Sequence, residues 1–363
     1  MYFKSVELKN FRNYKDQKVE FDPKLNIILG DNAQGKTNLL EGLFIMGLGR
    51  SFKTTNDKEM IAFGEEFSRA SSIVAGEDED TQIDIVYNQD GKIIKVDGIK
   101  LQRSVDLLEN VYVVVFSPED LRIVKDGPEH RRRFLDRELC QIKPMYYSDL
   151  GNYKKILKQR NSYLKEDVID KDLFEVFDES LVNYGLRIVE ERKRFTERLY
   201  GICGSIHKDI SNGKEKLAIR YETEVKDRES FKEKLKESFE TDRIKGYTSC
   251  GPHKDYLGIF INGKDIRVYG SQGQQRTASL SMKLAEVELI KQETGQDPVL
   301  LLDDVFSELD AGRQKYLIES MKGVQIFVTA TGIEGGLMDI MPDGNVYYVD
   351  NGIINLYNKQ VNS

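Results

Sequence analysis

The residues Gly30-Asp31-Asn32-Ala33-Gln34-Gly35-Lys36-Thr37 read G-x-x-x-x-G-K-T. That spacing wraps backbone N–H groups around a phosphate chain. Lys36 is placed to reach the β- and γ-phosphates, and the Thr37 hydroxyl to hold Mg²⁺. Far along the chain, Pro298-Val299-Leu300-Leu301-Leu302 runs into Asp303-Asp304. A wholly apolar strand ending in a carboxylate is the partner such a loop needs, because an Asp there holds the metal beside the loop's hydroxyl. Asp303 is the metal-side candidate. Asp304 is the candidate to position or deprotonate the attacking water. These residues predict an Mg-ATP site.

The flanking segments fit that chemistry. Leu25-Asn26-Ile27-Ile28-Leu29 is an apolar run of strand type, and Leu39, Leu40, Leu43 and Met46 recur with helical spacing. A strand therefore enters the loop and a helix leaves it, with its N-terminal amides and dipole facing the phosphates. Upstream, Tyr2 to Phe11 and Gln17 to Phe21 read as strands. From Ser68 to Leu101 the pattern is period two, with hairpin turns at Asp90-Gly91 and Asp97-Gly98, so an antiparallel meander is expected. Val111 to Phe116 reads as a buried strand, and Ser117-Pro118 as a helix start.

From Leu121 to about Thr241 charges dominate, and Leu173, Phe174, Phe177, Leu181, Tyr184 and Ile188 recur at three and four. The spacing predicts helices over 143–164, over 171–210 (as one or two) and over 230–239, with one short strand over 217–221. Strand patterns then return from Tyr256 to Val268 around Asn262-Gly263. A helix over 277–292, strands over 298–302 and 323–329, and a hairpin around Asp350-Asn351-Gly352 complete the chain. The expected organisation is an α/β head in two pieces, residues 1–120 and 242–363, interrupted by a mostly helical arm over 121–241.

The chain has 363 residues, 39% hydrophobic and 32% charged, which suits about two domains. It contains no run of 18 apolar residues, so no membrane partner is expected. Cys140, Cys203 and Cys250 are far apart and lack metal spacing, which predicts a reducing, cytoplasmic setting. A net charge of −7 does not favour a nucleic-acid binder, but it does not exclude one, because local basic clusters set the local field. Those clusters are Arg122/Lys125, Arg131-Arg132-Arg133, Lys154-Lys155-Lys158-Arg160 and Arg192-Lys193-Arg194. Among the basic residues Arg50, Lys53, Arg131 and Arg132 are the preferred candidates for such contacts.

Three further stretches carry a family resemblance. Ser271-Gln272-Gly273-Gln274-Gln275-Arg276 resembles the signature motif of ABC-type ATPases, matching at Ser271, Gly273 and Gln274. Ser307-Glu308-Leu309-Asp310 resembles their D-loop. Leu8-Lys9-Asn10-Phe11-Arg12-Asn13-Tyr14 resembles the start of the SMC, Rad50 and RecF proteins. Within that branch, Gly49-Arg50-Ser51-Phe52, Phe116-Ser117-Pro118-Glu119-Asp120-Leu121, Arg131-Arg132-Arg133-Phe134-Leu135-Asp136 and Gly251-Pro252-His253-Lys254-Asp255 are similar to the RecF family. The resemblance spans residue 8 to beyond 310. It implies an ABC-type ATPase head with an inserted arm, in which Arg12 and Asn13 join the P-loop at ATP. Ser271, Gly273, Gln274 and Asp310 would meet ATP bound to a second copy. It further implies an ATP-dependent homodimer on double-stranded DNA near gaps, with Arg50, Lys53, Arg131 and Arg132 as the preferred DNA contacts, working with RecR and RecO to load RecA.

The chain departs from the ABC pattern at two places. Asp304 stands where many members carry Glu, and Thr329 is the positional candidate for the γ-phosphate sensor where many carry His. Slow hydrolysis is expected. Three other readings compete: a transporter-type motor, which would need a membrane partner; a Rad50- or SMC-like organiser, which would need a far longer coiled coil; and a small-molecule kinase, which leaves Ser271 to Arg276 unexplained.

Overall fold

The computed structural model describes residues 1–76, 78–168, 170–321, 323–332 and 344–357. It divides into two compact units. One comprises Met1–Asp120 and Glu286–Ser363, the other Leu121–Ala285.

The first unit contains two sheets. One is antiparallel, in the order β2-β1-β4-β5-β6-β7, built from β1 (Tyr2–Phe11), β2 (Tyr14–Glu20), β4 (Ser68–Ala75), β5 (Asp80–Asn88), β6 (Gly91–Val96) and β7 (Ile99–Lys100). This is the expected meander, joined by the N-terminal hairpin. Asp97 and Gly98 both have positive φ (49° and 78°), the geometry of a two-residue hairpin turn. The other sheet has the order β15-β14-β3-β13-β12-β8. It comprises β3 (Leu25–Leu29), β8 (Val113–Phe116), β12 (Val299–Asp303), β13 (Ile326–Ala330), β14 (Asn345–Asp350) and β15 (Ile353–Leu356). All its pairs are parallel except β14–β15. Every residue of β3, β8 and β12 is buried, as the continuous apolar runs require of a covered parallel sheet.

Helix α1 (Lys36–Leu48) leaves β3 through the glycine loop and is buried over nearly its whole length. Two glycines allow this close fit. A Cβ on Gly42 would lie 3.0 Å from Leu8, and one on Gly47 would lie 3.0 Å from the Val111 carbonyl.

The second unit holds α2 (Leu121–Lys125), α3 (Pro128–Ile142), α4 (Pro144–Tyr163), α5 (Lys171–Ile210), α6 (Arg228–Glu237), α7 (Phe239–Lys245), α8 (Ile266–Tyr269) and the start of α9 (Gln272–Thr294), while α10 (Ala311–Ser320) belongs to the first. The seam expected over 171–210 is one 40-residue helix, with Leu181, Ile188, Val189 and Leu199 buried along it.

The expected arm boundary at 241 differs from the observed division. β10 (Tyr256–Ile261) pairs along its full length with β9 (Leu217–Glu222) and turns through Asn262-Gly263 into β11 (Lys264–Asp265). These later strands thus complete the arm's own three-stranded sheet, and the unit runs on to Ala285. The strand pattern also overran its element: Asp265 accepts from Arg267 N at 2.8 Å and caps a helical turn, α8.

Candidate nucleotide-binding site

β13 lies between β3 and β12, and all three run parallel. The P-loop, Asp303 and Thr329 therefore emerge together at the carboxyl ends of neighbouring strands, where open α/β sheets bind ligands.

Gly30, Ala33 and Gly35 have φ of 149°, 66° and 122°. A Cβ on Gly30 would sit 2.3 Å from the Val349 carbonyl, and one on Gly35 would sit 2.6 Å from the Asn13 amide, so glycine is required at both. Asp31, Asn32 and Ala33 are exposed and Gln34 is half-buried. The loop is braced on three sides. Tyr14 OH donates to Gly35 O at 2.8 Å, Asn13 Nδ2 donates to Gln34 O at 2.8 Å, and Asn351 N donates to the Gln34 side chain at 2.7 Å. The sequence reading missed this last brace, although Asn351-Gly352 had been legible as a turn.

The Lys36 ammonium is buried and donates to Gly30 O at 2.5 Å and Asp31 O at 2.8 Å. Burial lowers its pKa, against the raising fields of Asp304 and Asp303. It is a charge held at the loop by two neutral carbonyl acceptors, which a phosphate oxygen would outcompete.

Thr37 Oγ1 donates to Asp303 Oδ1 at 2.9 Å, and Thr329 Oγ1 donates to the same oxygen at 2.9 Å. The Asp304 N–H donates to Thr329 Oγ1 at 3.0 Å. Asp304 has φ 53° and is exposed, whereas Asp303 is buried. Thr329 is 1% exposed and its hydroxyl is engaged on both sides. The hydroxyl of this positional candidate for the γ-phosphate sensor thus ties the two acids together.

Arg12 (φ 55°) forms a bidentate pair with the fully buried Glu41, at 2.9 and 2.8 Å, and Ser51 Oγ donates to the same carboxylate. The expected ATP contact at Arg12 is thus a guanidinium committed to α1, while Asn13 lies on the loop itself. Lys53 Nζ donates to Asn38 Oδ1 at 2.9 Å, and Asn38 Nδ2 donates to Asn13 Oδ1 at 2.9 Å. Lys53, expected at DNA, is drawn into the nucleotide-loop network. Arg50 is half-buried just beyond the left-handed Gly49.

In the second unit, Ser271 Oγ accepts from Gln274 N at 3.2 Å and Gln274 Oε1 accepts from Ser271 N at 2.9 Å. This reciprocal capping box opens α9. Ser271 and Gly273 are exposed. Asp310, in the first unit, caps α10 by accepting from Arg313 N at 3.0 Å.

Arg131 is corrected as a DNA contact. It is 0% exposed and donates to Ile123 O, Val124 O, Leu257 O and Tyr256 OH. Arg160 and Arg192, from two other basic clusters, are likewise buried and paired with Asp178 and Asp242, and with Asp136. Arg131→Ala is expected to cost roughly 2 kcal/mol of stability by unpairing these acceptors. Melting would fall while the salt slope of any DNA binding stays put; a slope change without a stability change would restore the surface reading.

The family model described as the RecF/RecN/SMC N terminal domain matches residues 2–341. A DNA replication and repair protein RecF of Lachnoclostridium phytofermentans is 45% identical over 358 residues, covering 98% of this chain and 99% of that one. The chain belongs to the RecF family. The solved structure of a recombination mediator protein RecF with ATP, of the RecFOR pathway, superposes with a TM-score of 0.91 at 40% identity, covering 98% of each chain. An SMC head at 18% identity (TM-score 0.55, 98% and 97% covered) shares the fold. The ABC-type ATPase head read from the RecF-like motifs is the observed architecture.

Proposed function

We propose that this RecF-family chain is an ATP-switched, DNA-binding recombination mediator. The observation that carries the reading is the Thr37–Asp303 contact at 2.9 Å, which joins two motifs 266 residues apart into one site. Gly30 to Thr37 bind the phosphates with Asn13 at their edge. The Thr37 hydroxyl and the Asp303 carboxylate are hard oxygen donors that suit Mg²⁺. Mg²⁺ is commonly held by one or two carboxylates together with water and substrate phosphates. When bound, Mg²⁺ neutralises charge on the β- and γ-phosphates. Asp304, free in solvent beside Asp303, orients the water.

Ser271, Gly273, Gln274 and Asp310 complete the site of a second copy. ATP then acts mainly as a dimer clamp on double-stranded DNA near gaps, and slow hydrolysis releases it. RecR, RecO and RecA are the partners inherited from the family, acting in the cytoplasm. Residues 1–120 and the C-terminal segment form the ATPase head, and the helical unit forms the arm.

Sedimentation with and without Mg-ATP tests this. The wild-type chain is expected to dimerise only with ATP, and Lys36→Met and Ser271→Arg each to remain monomeric. A monomer under all conditions, or isolated turnover near the ~100 per second of fast enzymes, would refute the clamp.

A further inference from the structure

Two sequence runs that the nucleotide site does not use, Arg131 to Asp136 and Gly251 to Asp255, meet at one cleft in the helical unit. It measures about 250 Å³ and is lined by Arg132, Arg133, Asp136, Lys154, Arg192 and His253, among others. A second hollow shares Glu129 and Arg132 with it and adds Asp126, His130 and Lys254. Together they present five Arg or Lys side chains and three carboxylates, in a chain whose net charge is −7.

The carboxylates are already spent. Asp136 takes Arg192 at 2.7 Å and Lys154 at 3.4 Å. Glu129 takes Arg133 at 2.5 Å, and Asp126 takes Arg122 at 2.7 Å. Arg132 and Lys254 are left with no carboxylate at salt-bridge distance among the described residues. Arg132 is half-buried and its hydrogen bond goes to a neutral acceptor, Asp255 O, at 2.8 Å. Burial and then the field of Arg192 lower its pKa, against the raising fields of Glu129, Asp136 and Asp255, so an incoming anion would oppose the two lowering effects. Lys254 is exposed and stands over the Tyr247 ring at 4.7 Å.

The rest of the two motifs holds this pair in place. Arg192 is anchored by Tyr146 OH, Pro252 O and Asp136. His253 bridges Tyr153 OH at 2.7 Å and Thr248 O at 2.9 Å, which fixes the loop that carries Lys254. A buried, satisfied frame with two unanswered cations at its mouth is built for a doubly accepting oxyanion.

We propose that this cleft is a backbone-phosphate site for DNA, with Arg132 and Lys254 contacting phosphate oxygens and Lys154 and Arg133 at its rim. The proposal rests on the DNA-binding reading above and assigns it a place. The contacts read no bases, so binding there is independent of sequence.

The test is anisotropy of a labelled 30-base-pair duplex (an illustrative length of roughly three helical turns) with the full chain and Mg-ATP across a KCl series. Each lost phosphate contact lowers the slope of log K against log salt by about 0.9. Arg132→Gln with Lys254→Gln is expected to lower it by about 2, for every duplex sequence, with ATP-dependent sedimentation unchanged. Should the double variant misfold, Lys254→Gln alone replaces an exposed side chain and is expected to lower the slope by about 1. A wild-type chain that binds no duplex refutes the DNA reading itself. A wild-type chain that binds, with variants of equal slope and affinity, refutes the cleft alone. Inorganic phosphate is added in a second arm at constant ionic strength. Displacement of the duplex beyond that of chloride, lost in Arg132→Gln, is expected; Arg132-dependent phosphate binding with unchanged duplex affinity would overturn the proposal in favour of a free anion.

Discussion

Thr329→Val is expected to lower Mg-ATP turnover by roughly 10- to 100-fold and to raise the Mg²⁺ concentration needed for half-maximal rate, with Thr329→Ser restoring both. The substitution keeps shape and removes one hydroxyl. That hydroxyl donates to Asp303 Oδ1 and accepts from the Asp304 N–H. Asp303 would keep Thr37 as partner on the same oxygen but lose the second donor that sets its rotation. Asp304 would lose the acceptor that holds its backbone at φ 53°, a conformation that costs a non-glycine residue about 1 kcal/mol or more and persists only when its surroundings enforce it. Both acids would loosen at once, although Thr329 itself is only 1% exposed. Binding of ATP without metal is expected to be unchanged, because the Gly30–Thr37 amides and Lys36 are untouched. A merely structural threonine would lower the melting temperature and leave the Mg²⁺ dependence alone. That outcome, or a Val variant as active as the wild type, would remove Thr329 from the site.

The route by which Thr329 entered shows what the sequence could carry. Glycine spacing, the apolar run into Asp303-Asp304 and the period-two meander are local signals, and they placed the P-loop, the acidic strand and the first sheet. The alignment of β13 between β3 and β12 is a non-local fact: Thr329 pairs with Ile28 on one side and Asp303 on the other. Chain order alone made it the residue at a strand end, so its role was assigned by analogy, and its contacts with the two acids were not legible. Arg131 was misplaced for a different reason. Charge runs are read as solvated faces, yet Arg131, Phe134, Leu135 and Leu139 fall on one helical stripe and all are buried. The spacing i, i+3, i+4, i+8 was in the sequence, but two of the four acceptors that offset its desolvation, Tyr256 OH and Leu257 O, come from β10, over 120 residues away. Arg132, one position round the helix, escapes that stripe and remains half-exposed. The arm boundary was lost to the same kind of long-range pairing, since strands over 256–265 had no local mark to say which sheet they would join.

Acidification from pH 7 to pH 4 is expected to cost the helical unit about 3 kcal/mol through His253. Nε2 faces Thr248 O at 2.9 Å and therefore carries the proton, so Nδ1 accepts from Tyr153 OH at 2.7 Å. In this tautomer the neutral ring satisfies both partners, and protonating Nδ1 would force the Tyr153 hydroxyl to give up that donation. Burial lowers its pKa from 6.5 to about 4; Thr248 O opposes this, Lys254 and Arg132 add to it, and Asp242 opposes it. Between pH 6.5 and 4 the unfolded histidine binds a proton that the folded one refuses. Stability is therefore complete above pH 6.5 and falls as pH drops to 4. Neighbouring carboxyls complicate the total. Asp136 is lowered against its burial by Arg192 and Lys154 and gives its stability up only at still lower pH, while burial raises Asp255 and Asp178, which favours the folded state as they protonate. The comparison that isolates the ring is with His253→Gln, whose amide can serve both partners without titrating. Amide exchange in α4 and β10 at pH 7, 5 and 4 reads this unit separately from the ATPase head. The wild type is expected to lose about 3 kcal/mol more protection than the variant over that range. Parallel profiles would mean that the imidazole is accessible to protons in the folded chain, and the frame beneath Lys254 would then be softer than its hydrogen bonds imply.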